Sequence, residues 1–409
     1  MTTPTPQQQP NSINGIQYLA ALCSKPSRRI AGVMSGTSVD SIDVAICNVL
    51  GTGLSASVVL SSIYTHKFPA ALQARVRALK ETTIREVSEI HLELGKLFGE
   101  AVNAAVAVSR KNKLGSLPID LVGCHGQTVY HHSRLYDSNC GVRSTLQLGC
   151  ADAVAEACGV PVIFNFRARD IAAGGEGAPL TPYADAVLFK VRDESKAVLN
   201  LGGIANITLL SPDIERICGF DCGPANAPLD RLARILSSGA LAADIDGVMA
   251  RSGVIDQRAL KTLLEQDFFI NLAPPKSTGF EMYGEDFVTR LIALHEGAVA
   301  TNDCLATAVE FAVKGIVRAI ELSKRDPKEI IIAGGGLRNP FLIERLRAHI
   351  PNIDFVDSDK YHVPAQAREA MAFALFANEC VMGSSVSNPA ITGVSGRRVL
   401  GNISLGRSE

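Results

Sequence analysis

The spacing of hydrophobic residues in the first half of the chain predicts an alternation of strands and helices. Runs rich in apolar and β-branched residues indicate strands, and apolar residues that recur every three or four positions indicate amphipathic helices. The predicted strands are 29–34, 43–50, 55–66 and 119–124, and the predicted helices are 83–110 and 151–158. The small polar turn SGTSVDS at 35–41 joins the first two strands. The order in this half is therefore three strands, a helix, a strand and a helix.

A similar order of elements returns in the second half of the chain. Its predicted strands are 196–200, 207–210, 214–220, 329–333 and 352–356, and its predicted helices are 229–236, 303–323, 340–349 and 364–381. The stretch 246–263 is predicted to be largely helical. In both halves a hairpin with a small polar turn comes first, followed by a third strand and by helices. This pattern predicts an α/β protein built from a duplicated unit. Its layout is that of the two-lobed actin, sugar-kinase and Hsp70-like ATPase fold, in which each lobe is an RNase H-like mixed sheet with flanking helices.

The length of the chain also favours two lobes, because 409 residues exceed what one hydrophobic core usually supports. We expect an N-terminal lobe at 29–165 and a C-terminal lobe at 166–384, with the active site in the cleft between them. The segment 385–409 is a candidate to complete the N-terminal lobe. Residues 1–28 begin with the Pro- and Gln-rich run MTTPTPQQQPNS and are predicted to form a disordered or loosely attached tail.

The composition is that of an ordinary soluble globular protein, with 47% hydrophobic residues, 20% charged residues and a net charge of −1. This balance provides no electrostatic reason to expect a nucleic acid or an anionic membrane as a partner. The ten cysteines lack the spacing of metal ligands, which is typical of reduced thiols in a cytosolic protein. No apolar run reaches the length of a membrane span, and no basic segment precedes the apolar stretch near the N-terminus. We therefore expect a cytoplasmic protein without zinc.

Small glycine-rich turns follow several predicted strands and suit the binding of phosphate groups, because no bulky side chain covers their backbone N–H groups. The turns lie at 35–38, 202–206, 221–223 and 334–336. The last leads through Asn339 into a helix, whose N-terminus favours an anion. Asp40 and Asp43 follow the first turn, and a carboxylate beside a phosphate-binding turn is a usual ligand of Mg²⁺. Each turn alone is also compatible with an ordinary Ser/Thr/Gly hairpin, and the chain has neither a Walker-A motif nor a full Rossmann fingerprint.

A lone carboxylate, Asp170, stands in the stretch NFRARDIAAGGEGAPL at 165–180. Arg167 and Arg169 flank it, and the glycines that follow would let the backbone approach a ligand closely. The apolar run VPVIF before this stretch predicts a buried strand that ends in an irregular polar loop. This pattern favours a functional carboxylate in a ligand-binding loop. A surface turn on which Asp170 merely pairs with its neighbouring arginines is the alternative.

Two further polar positions are candidates for binding a sugar. Gln127 and Thr128 follow a predicted strand, and their side chains both donate and accept hydrogen bonds. A metal site is the weaker interpretation there, because the single His125 is not a ligand set. Glu369 opens the last predicted helix, where it either faces the ligand or complements the helix N-terminus.

Longer motifs of the chain resemble those of the anhydro-N-acetylmuramic acid kinases, a family that also contains levoglucosan kinases. The motifs are MSGTSVDSID (34–43), CHGQTV (124–129), FRARDIAAGGEGAPL (166–180), NLGGIANI (200–207), FDCGPAN (220–226), APPKSTGFE (273–281), AGGGLRNP (333–340), EAMAFA (369–374) and ITGVSG (391–396). They occur in the family's order from about residue 29 to about residue 401, so that only the N-terminal tail lies outside the resemblance. Several of them are long and rarely met elsewhere.

The resemblance implies a phosphotransferase that uses ATP and Mg²⁺ to open a 1,6-anhydro sugar and to phosphorylate its O6. From 1,6-anhydro-N-acetylmuramic acid the product would be N-acetylmuramic acid 6-phosphate, an amino sugar of peptidoglycan recycling. Asp170 matches the family's catalytic aspartate, which removes a proton from the water that attacks the anomeric carbon while O6 takes the γ-phosphoryl group. Its flanking arginines would keep that carboxylate ionised, as a base must be. The family's proteins are homodimers whose lobes close around the substrate.

The resemblance also indicates binding positions, residue by residue. The positions that match sugar contacts are Gln127, Thr128, Arg167 and Glu369. The positions that match nucleotide contacts are Gly36, Thr37, Ser38, Val39, Asp40, Ser41, Ile42, Asp43, Gly202, Gly203, Asn206, Asp221, Gly223, Gly334, Gly335, Gly336 and Asn339. Of these, Asp40 and Asp221 are the expected metal ligands.

Departures from the family's usual motifs leave the identity of the sugar open. Asn165 stands where an Asp is usual before Phe-Arg, Phe280 stands where an Arg usually follows KSTG, and Ser41 and Glu176 also depart from the pattern. The loss of a cation at 280 weakens the expected affinity for a lactyl carboxylate, because charge-assisted contacts are the strong ones. Anhydro-N-acetylmuramate stays the first hypothesis, and a neutral anhydrosugar such as levoglucosan is the alternative. The other rivals are a non-catalytic ATP-binding homologue and an ordinary sugar kinase, whose aspartate would deprotonate a substrate hydroxyl.

Overall fold

The computed structural model of the chain describes residues 15–36, 39–79, 82–111, 118–132, 142–274, 276–334 and 339–406, without the side chains of His132, Phe280 and Glu281. Its strands are β1 (Ser27–Ser35), β2 (Ser41–Leu50), β3 (Ser57–Lys67), β4 (Leu121–His132), β5 (Ser144–Leu148), β6 (Val162–Phe164), β7 (Lys196–Leu201), β8 (Ile204–Leu209), β9 (Cys218–Pro224), β10 (Glu329–Ala333), β11 (Asp354–Asp357) and β12 (Asn402–Ser404). Its helices are α1 (Gly15–Ser24), α2 (Ala70–Arg77), α3 (Ile84–Lys111), α4 (Ala151–Cys158), α5 (Phe166–Ala172), α6 (Thr181–Leu188), α7 (Asn226–Leu236), α8 (Val248–Ser252), α9 (Gln257–Gln266), α10 (Phe280–Tyr283), α11 (Glu285–Leu294), α12 (Asn302–Ser323), α13 (Pro340–His349), α14 (Arg368–Val381) and α15 (Pro389–Thr392). Over these ranges, none of the helices is both long and apolar enough to cross a membrane.

Within the described residues the strands form two mixed sheets that share one internal order. The first sheet runs β12-β6-β4-β1-β2-β3, with β5 beside β4, and the second runs β11-β10-β7-β8-β9. In each sheet the central strand, β1 or β7, pairs antiparallel with the next strand of the chain. A third strand then pairs antiparallel with the second on the same side. On its other side it pairs in parallel with the fourth strand. This is the RNase H-like sheet present twice, which confirms the predicted two-lobed α/β fold.

Helix α14 lies directly on the first sheet, and glycines of the sheet make room for it. A Cβ at Gly32 of β1 would come within 1.8 Å of the carbonyl oxygen of Ala370. A Cβ at Gly123 of β4 would come within 2.1 Å of the carbonyl oxygen of Phe373. The helix backbone therefore rests where side chains of the sheet would otherwise stand. Because α3 covers the opposite face, β1 is buried along most of its length, as its continuous apolar sequence predicts.

A hydrophobic core to which both sheets contribute lies between them. Ile30 of the first sheet and Val198 and Ile331 of the second belong to one buried cluster with α6 and α14. Inside this layer the side chains of Arg368 and Asp185 are 4% and 0% exposed. They form a two-pronged ion pair, with 2.7 Å between Nε and Oδ1 and 2.5 Å between Nη2 and Oδ2. Since a planar guanidinium matches a carboxylate in this arrangement, the pair sets the rotation of α14 as well as its position.

Several element boundaries differ from the prediction for local reasons. The block predicted to be largely helical at 246–263 consists of a short turn with the left-handed Asp246 (φ 58°) and of the separate helices α8 and α9, the second of which is capped by the side chain of Asp256. The last long helix begins at Arg368 instead of residue 364. The strand predicted at 214–220 begins only at Cys218, after a single helical turn.

Segments near both ends of the chain join the first sheet and its core. β12 pairs antiparallel with β6, and α1 buries Leu22 in the cluster between the sheets. α14 also packs on the first sheet, although it precedes residue 384. The expected limits of the lobes at 165/166 and 384/385, and of the tail at 1–28, remain predictions.

Replacing Asp185 with Asn should lower the free energy of unfolding by about 3–5 kcal/mol, because it leaves the guanidinium of Arg368 buried without a countercharge. Urea unfolding followed by circular dichroism measures this change. The matched control is Glu89→Gln in the exposed pair with Arg85, which should change the free energy by less than about 0.5 kcal/mol. An Asp185→Asn variant within about 1 kcal/mol of the wild type would mean that the buried pair does not hold α14 in place.

Candidate active site

Asp170 lies on α5, which follows directly from β6. Asn165 ends the strand with a left-handed backbone (φ 55°), and the chain turns at once into a helix. Phe166 anchors this helix by packing against Phe373 and Phe376 of α14, with ring centroids 5.3 and 6.0 Å away. Because residues four apart share one face of a helix, Asp170 points inward with Phe166 and is 0% exposed. The irregular loop that was predicted to contain Asp170 therefore begins only after it, at the end of α5.

Donors from outside α5 hold the carboxylate of Asp170. The N–H of Gly177 donates to Oδ2 at 2.8 Å, and the hydroxyl of Thr392 donates to Oδ1 at 2.8 Å. The loop after α5 folds back over the carboxylate, and the N–H of Gly175 donates to the Asp170 carbonyl oxygen at 2.9 Å. A Cβ at Gly175 would lie 2.1 Å from Oδ2, so that only glycine fits beside the carboxylate.

Burial raises the pKa of Asp170 above its ordinary value, and the hydrogen bonds to the carboxylate offset only part of that rise. The negative charge of Glu176 raises this pKa further, whereas Arg143 lowers it. The flanking arginines, which were predicted to keep Asp170 ionised, do not prevent this rise, although Arg167 and Asp170 attract each other electrostatically. Arg169 is exposed, and Arg167 is bonded to other groups. The ionised form is favoured mainly by neutral hydrogen-bond donors.

Arg167 is bonded to the loop after α5 and to β4. Its Nη1 donates to the carbonyl oxygen of Gly177 at 2.8 Å, and its Nε donates to Nε2 of His125 at 3.0 Å. His125 therefore carries its proton on Nδ1, which donates to the carbonyl oxygen of Gly126 at 2.9 Å. Burial, aided by the positive Arg167, holds the pKa of His125 well below its ordinary value, and burial lowers the pKa of Arg167 to about 10. Both ring nitrogens of His125 are thus engaged in hydrogen bonds within the protein.

Gln127 of β4 connects this side of the site to the turn after β1. Its buried Oε1 accepts the hydroxyl of Ser35 at 2.6 Å, and its Nε2 donates to the carbonyl oxygen of Gly36 at 3.2 Å. Its side chain is thus engaged within the protein. The neighbouring Thr128 is partly exposed, and its hydroxyl accepts a hydrogen bond from Gln147 at 3.3 Å. Thr128 is the more accessible of the two positions, and both sugar contacts stay predictions.

Apolar side chains anchor the turn between β1 and β2. Val39 and Ile42 are buried in the core of the first sheet, and the N–H of Val39 donates to the carbonyl oxygen of Gly36 at 3.1 Å. Ser41 and Ile42 already belong to β2. The side chains of Val39 and Ile42 are thus engaged in the core, and the nucleotide contacts predicted for 36–43 stay predictions.

Two cavities lined by both halves of the chain bring other candidate residues together. The larger, of about 230 Å³, lies between the loop after α5 and the strands β8 and β9, and its walls include Glu176, Asn206 and Asp221. The smaller, of about 210 Å³, lies between the ends of β1, β7 and β10 and the start of α14. Its walls include Asp43 and Glu369. Candidate residues thus line two cavities to which both halves of the chain contribute, and the cleft between the lobes stays a prediction.

The predicted metal ligands, Asp40 and Asp221, differ in their surroundings. Asp40 is exposed and pairs with Arg77 at 2.9 Å. Asp221 accepts the hydroxyl of Ser277 at 2.7 Å and the N–H of Thr278 at 2.8 Å. In the part of the chain that the structure describes, no three His, Cys, Asp or Glu residues are grouped so that they could hold a metal ion. Mg²⁺ needs only one or two protein carboxylates together with the phosphates of a nucleotide, and its binding by Asp40 and Asp221 stays a prediction.

The other nucleotide candidates lie at the ends of strands in the second sheet. The turn predicted at 221–223 is wrong, because these residues continue β9. In the turn after β7 the carbonyl groups of Gly202 and Gly203 accept N–H groups from the start of α7. Gly334 follows β10 with φ 83°, and Asn339 caps α13 through its side chain. The remaining candidates Thr37, Ser38, Gly335 and Gly336 lie outside the described residues.

Arg143 is a residue of the site that sequence reasoning missed. Its Nη1 donates to the carbonyl oxygens of Gly174 and Gly175, at 3.1 Å for the latter, and lies 3.3 Å from the carboxylate of Glu176. The guanidinium therefore holds the loop after α5 in its folded-back shape. Arg143 belongs to none of the recognisable motifs, so that no local signal in the sequence could have found it.

Thr392 and Lys276 were also missed, although the motifs ITGVSG and APPKSTGFE contain them. Lys276 is buried, and its ammonium group donates to the carbonyl oxygens of Phe269 and Ile270 at 3.0 and 3.2 Å. Burial lowers the pKa of Lys276, and the residue lines the larger cavity. Its role is to hold the chain next to Asp221, whose N–H donates to the Lys276 carbonyl oxygen at 3.0 Å.

Comparison with known proteins shows what the whole chain is similar to. The family model described as anhydro-N-acetylmuramic acid kinase matches residues 28–406. A protein of that name from Salinibacter ruber is 37% identical over 399 residues, which are 95% of this chain and 98% of that protein. Another from Caldanaerobacter subterraneus subsp. tengcongensis is 34% identical over 397 residues, which are 95% and 99% of the two chains. A solved gluconate kinase from Lactobacillus acidophilus is 12% identical with a TM-score of 0.42, covering 87% of this chain and 90% of its own.

The free energy of unfolding of Asp170→Asn, relative to that of the wild type, should increase as the pH rises. A carboxyl group with a raised pKa contributes stability that is fully present below the unfolded-chain value of 3.8 and is lost as the pH rises through the folded value. The amide of Asn does not titrate, so the variant avoids this loss. Urea unfolding of both proteins at about pH 4.5 and about pH 7.5 measures the difference.

Asp256→Asn provides a control of opposite sign. The hydrogen bond from the backbone N–H of Ala259 lowers the pKa of Asp256, so its carboxylate stabilises the fold above the unfolded-chain value of 3.8. This variant should therefore lose stability relative to the wild type as the pH rises to about 4.5, and its difference from the wild type should stay nearly constant between about pH 4.5 and about pH 7.5. If Asp170→Asn shows the same difference in unfolding free energy at both pH values, the pKa of Asp170 is not raised by folding.

Proposed function

Because the chain belongs to the anhydro-N-acetylmuramic acid kinase family, we propose that it uses ATP to open the anhydro ring of 1,6-anhydro-N-acetylmuramic acid and to phosphorylate O6 in one reaction. The product would be N-acetylmuramic acid 6-phosphate, an amino sugar of peptidoglycan recycling. The observation that carries the proposal is the buried carboxylate of Asp170, held by hydrogen-bond donors under the loop that lines the larger cavity. A protein that only binds a nucleotide has no need of such a group.

Asp170 is the general base of the proposed reaction. It takes a proton from a water molecule, whose oxygen forms a bond to the anomeric carbon C1 as the bond between C1 and O6 breaks. The electron pair of that bond stays on O6, which then forms a bond to the γ-phosphorus of ATP. The bond from this phosphorus to the bridging oxygen breaks, and ADP leaves. A raised pKa suits this role, because a base accepts a proton best when its pKa lies near the working pH.

The turns after β1 and β7 would hold the phosphates of the nucleotide. Each turn ends the central strand of a sheet and offers backbone N–H groups without a bulky side chain. Asn206 and Gly334, on the walls of the two cavities, would add further contacts. Asp40 and Asp221 would hold Mg²⁺ together with these phosphates, and the ion would neutralise charge that develops on the transferred group.

Thr128, Arg167 and Glu369 would contact the sugar, with Gln127 holding the turn after β1 in place. Glu369 lines the smaller cavity, and Arg167 lies between Asp170 and β4.

A neutral anhydrosugar such as levoglucosan is the less favoured substrate, because the relatives reported above carry the name of the amino sugar. Phe280→Arg tests the influence of that position on the choice of sugar. We also propose that the enzyme acts in the cytoplasm as a homodimer, as the family resemblance implies.

Purified protein with ATP and Mg²⁺ should release ADP when anhydro-N-acetylmuramate is added, and only slowly with levoglucosan or without a sugar. Asp170→Asn should reduce turnover at least about a hundredfold, because the base is lost. Asp193→Asn, an identical change at an exposed position outside the site, should leave turnover unchanged. Release of ADP that is independent of both the sugar and Asp170 would contradict the proposed function.

The same assay in ¹⁸O-labelled water separates the proposed reaction from that of an ordinary sugar kinase. Hydrolytic opening places the label on the anomeric oxygen of the product, which mass spectrometry detects. Phosphorylation of a pre-existing hydroxyl leaves the sugar unlabelled and would contradict the role of water as nucleophile.

Replacing Gly175 with Ala should lower kcat by about a hundredfold with a smaller effect on KM, because the new Cβ displaces the carboxylate of Asp170 and small misplacements of a catalytic group are costly. Gly396→Ala is the matched control, since its Cβ would meet only the flexible end of Arg398, at 3.1 Å. Steady-state kinetics measures both variants. Equal kcat in the two variants would mean that the Asp170 carboxylate does not need the space at Gly175.

A further inference from the structure

Thr392 is a buried hydroxyl that reaches Asp170 from the far end of the chain. It ends the short helix α15 and is 3% exposed. Its Oγ1 lies 2.8 Å from Oδ1 of Asp170 and 3.4 Å from the carbonyl oxygen of Asn388. A threonine hydroxyl has one proton to donate and lone pairs that accept. Thr392 therefore has two acceptors within reach for a single proton.

This geometry satisfies the carboxyl group in both of its protonation states. When Asp170 is ionised, the hydroxyl of Thr392 donates to Oδ1. When Asp170 has taken a proton on Oδ1, the hydroxyl of Thr392 can accept that proton in a hydrogen bond and turn its own proton to the carbonyl oxygen of Asn388. The N–H of Gly177 donates to Oδ2 in either state. A buried polar group that keeps its hydrogen bonds in both states avoids the cost of an unsatisfied partner.

The position of Thr392 is itself fixed by the protein. Its carbonyl oxygen accepts the N–H of Glu176 at 2.8 Å, and the N–H of Ser395 donates to the carbonyl oxygen of Ala173 at 3.0 Å. Asn388 is buried, and its side-chain amide donates to the carbonyl oxygens of Ile214 and Ile217. The segment 388–395 thus joins the loop after α5 to the chain that leads into β9.

We propose that Thr392 is a positioning residue for the general base. The hydroxyl of Thr392 orients the Asp170 carboxylate, and the hydrogen bond between the two groups reverses its direction when Asp170 gains or loses the proton. This inference rests on the proposed function. It extends that function because Thr392 would act only through Asp170 and would not touch the sugar or the nucleotide.

The proposal makes the hydroxyl, and not the bulk, of Thr392 the important feature. Thr392→Val removes the hydroxyl and keeps the volume, whereas Thr392→Ser keeps the hydroxyl. Thr392→Val should lower kcat by on the order of tenfold to a hundredfold with little change in KM, because a hydrogen bond to a charged group is lost. It should also move the acidic limb of the pH profile to higher pH, since the ionised form loses a donor. Thr392→Ser should keep both kcat and the pH profile close to those of the wild type. If Thr392→Val does not fold, Thr392→Ala takes its place.

A readout that does not depend on turnover is the titration of the Asp170 carboxyl carbon, observed by ¹³C NMR and assigned by its loss in Asp170→Asn. The charged groups that face this carboxyl are Glu176, Arg143 and Arg167, and they are the same in every Thr392 variant. The pKa of Asp170 should rise in Thr392→Val and return towards the wild-type value in Thr392→Ser. Thr307→Val, which removes a buried hydroxyl bonded to the carbonyl oxygen of Asp303, should not move it.

The outcomes separate the inference from the proposed function. If the wild type converts the anhydrosugar but Thr392→Val matches it in kcat, pH profile and titration, Thr392 only fills space and the inference is wrong. If the wild type converts no anhydrosugar, the proposed function fails, and a titration that is unchanged in Thr392→Val would overturn the hydrogen-bonding role as well. A shifted titration with rescue by Ser supports that role in either case.

Discussion

The close contact between α14 and the first sheet is the constraint on which the rest of the structure depends. The helix backbone can lie on the strands because Gly32 and Gly123 have no side chains there. Its other face meets α6 and residues of the second sheet, so the helix is the layer through which the two halves of the molecule are joined. The buried pair of Arg368 and Asp185 then fixes its rotation, because a displaced helix would leave one charge buried alone. Glu369, the next residue, is thereby directed to the smaller cavity.

The position of the proposed base follows from the same layer. Phe166 packs against aromatic rings of α14, and the turn of α5 then places Asp170 on the buried side. The carboxylate is taken out of water, and neutral donors from the loop after α5 and from Thr392 replace its hydration. Arg143 and Arg167 stabilise that loop and β4, with hydrogen bonds to groups other than the carboxylate. Burial with neutral donors leaves the pKa of Asp170 raised, which is the property that a proton acceptor needs.

The elements that sequence reasoning predicted well are those with a strong local signal. The strand 329–333 and the helix 340–349 agree with β10 and α13 at both ends, because a short apolar run and an Asn-Pro cap mark them clearly. Helix α5 was mistaken for a loop, since seven residues are too few to show a hydrophobic period and the glycines after it suggested irregular backbone. The block 246–263 was predicted only as largely helical, and it divides into α8 and α9 where the side chain of Asp256 caps a new helix, which apolar spacing alone does not reveal.

By itself the sequence determined the duplicated α/β fold and the family, and it identified Asp170 as the candidate carboxylate. Apolar periodicity reports which faces are buried, and long motifs preserve the order of the chemical groups along the chain. Only the tertiary structure decided which groups act on that carboxylate. Thr392 and Arg143 are distant from Asp170 in the sequence, and Arg169, its neighbour, is exposed. The physical reason is that hydrogen bonds and electrostatic interactions depend on distance and burial in space. The packing of α5 and α15 between the sheets sets both quantities, and adjacency in the sequence does not reveal them.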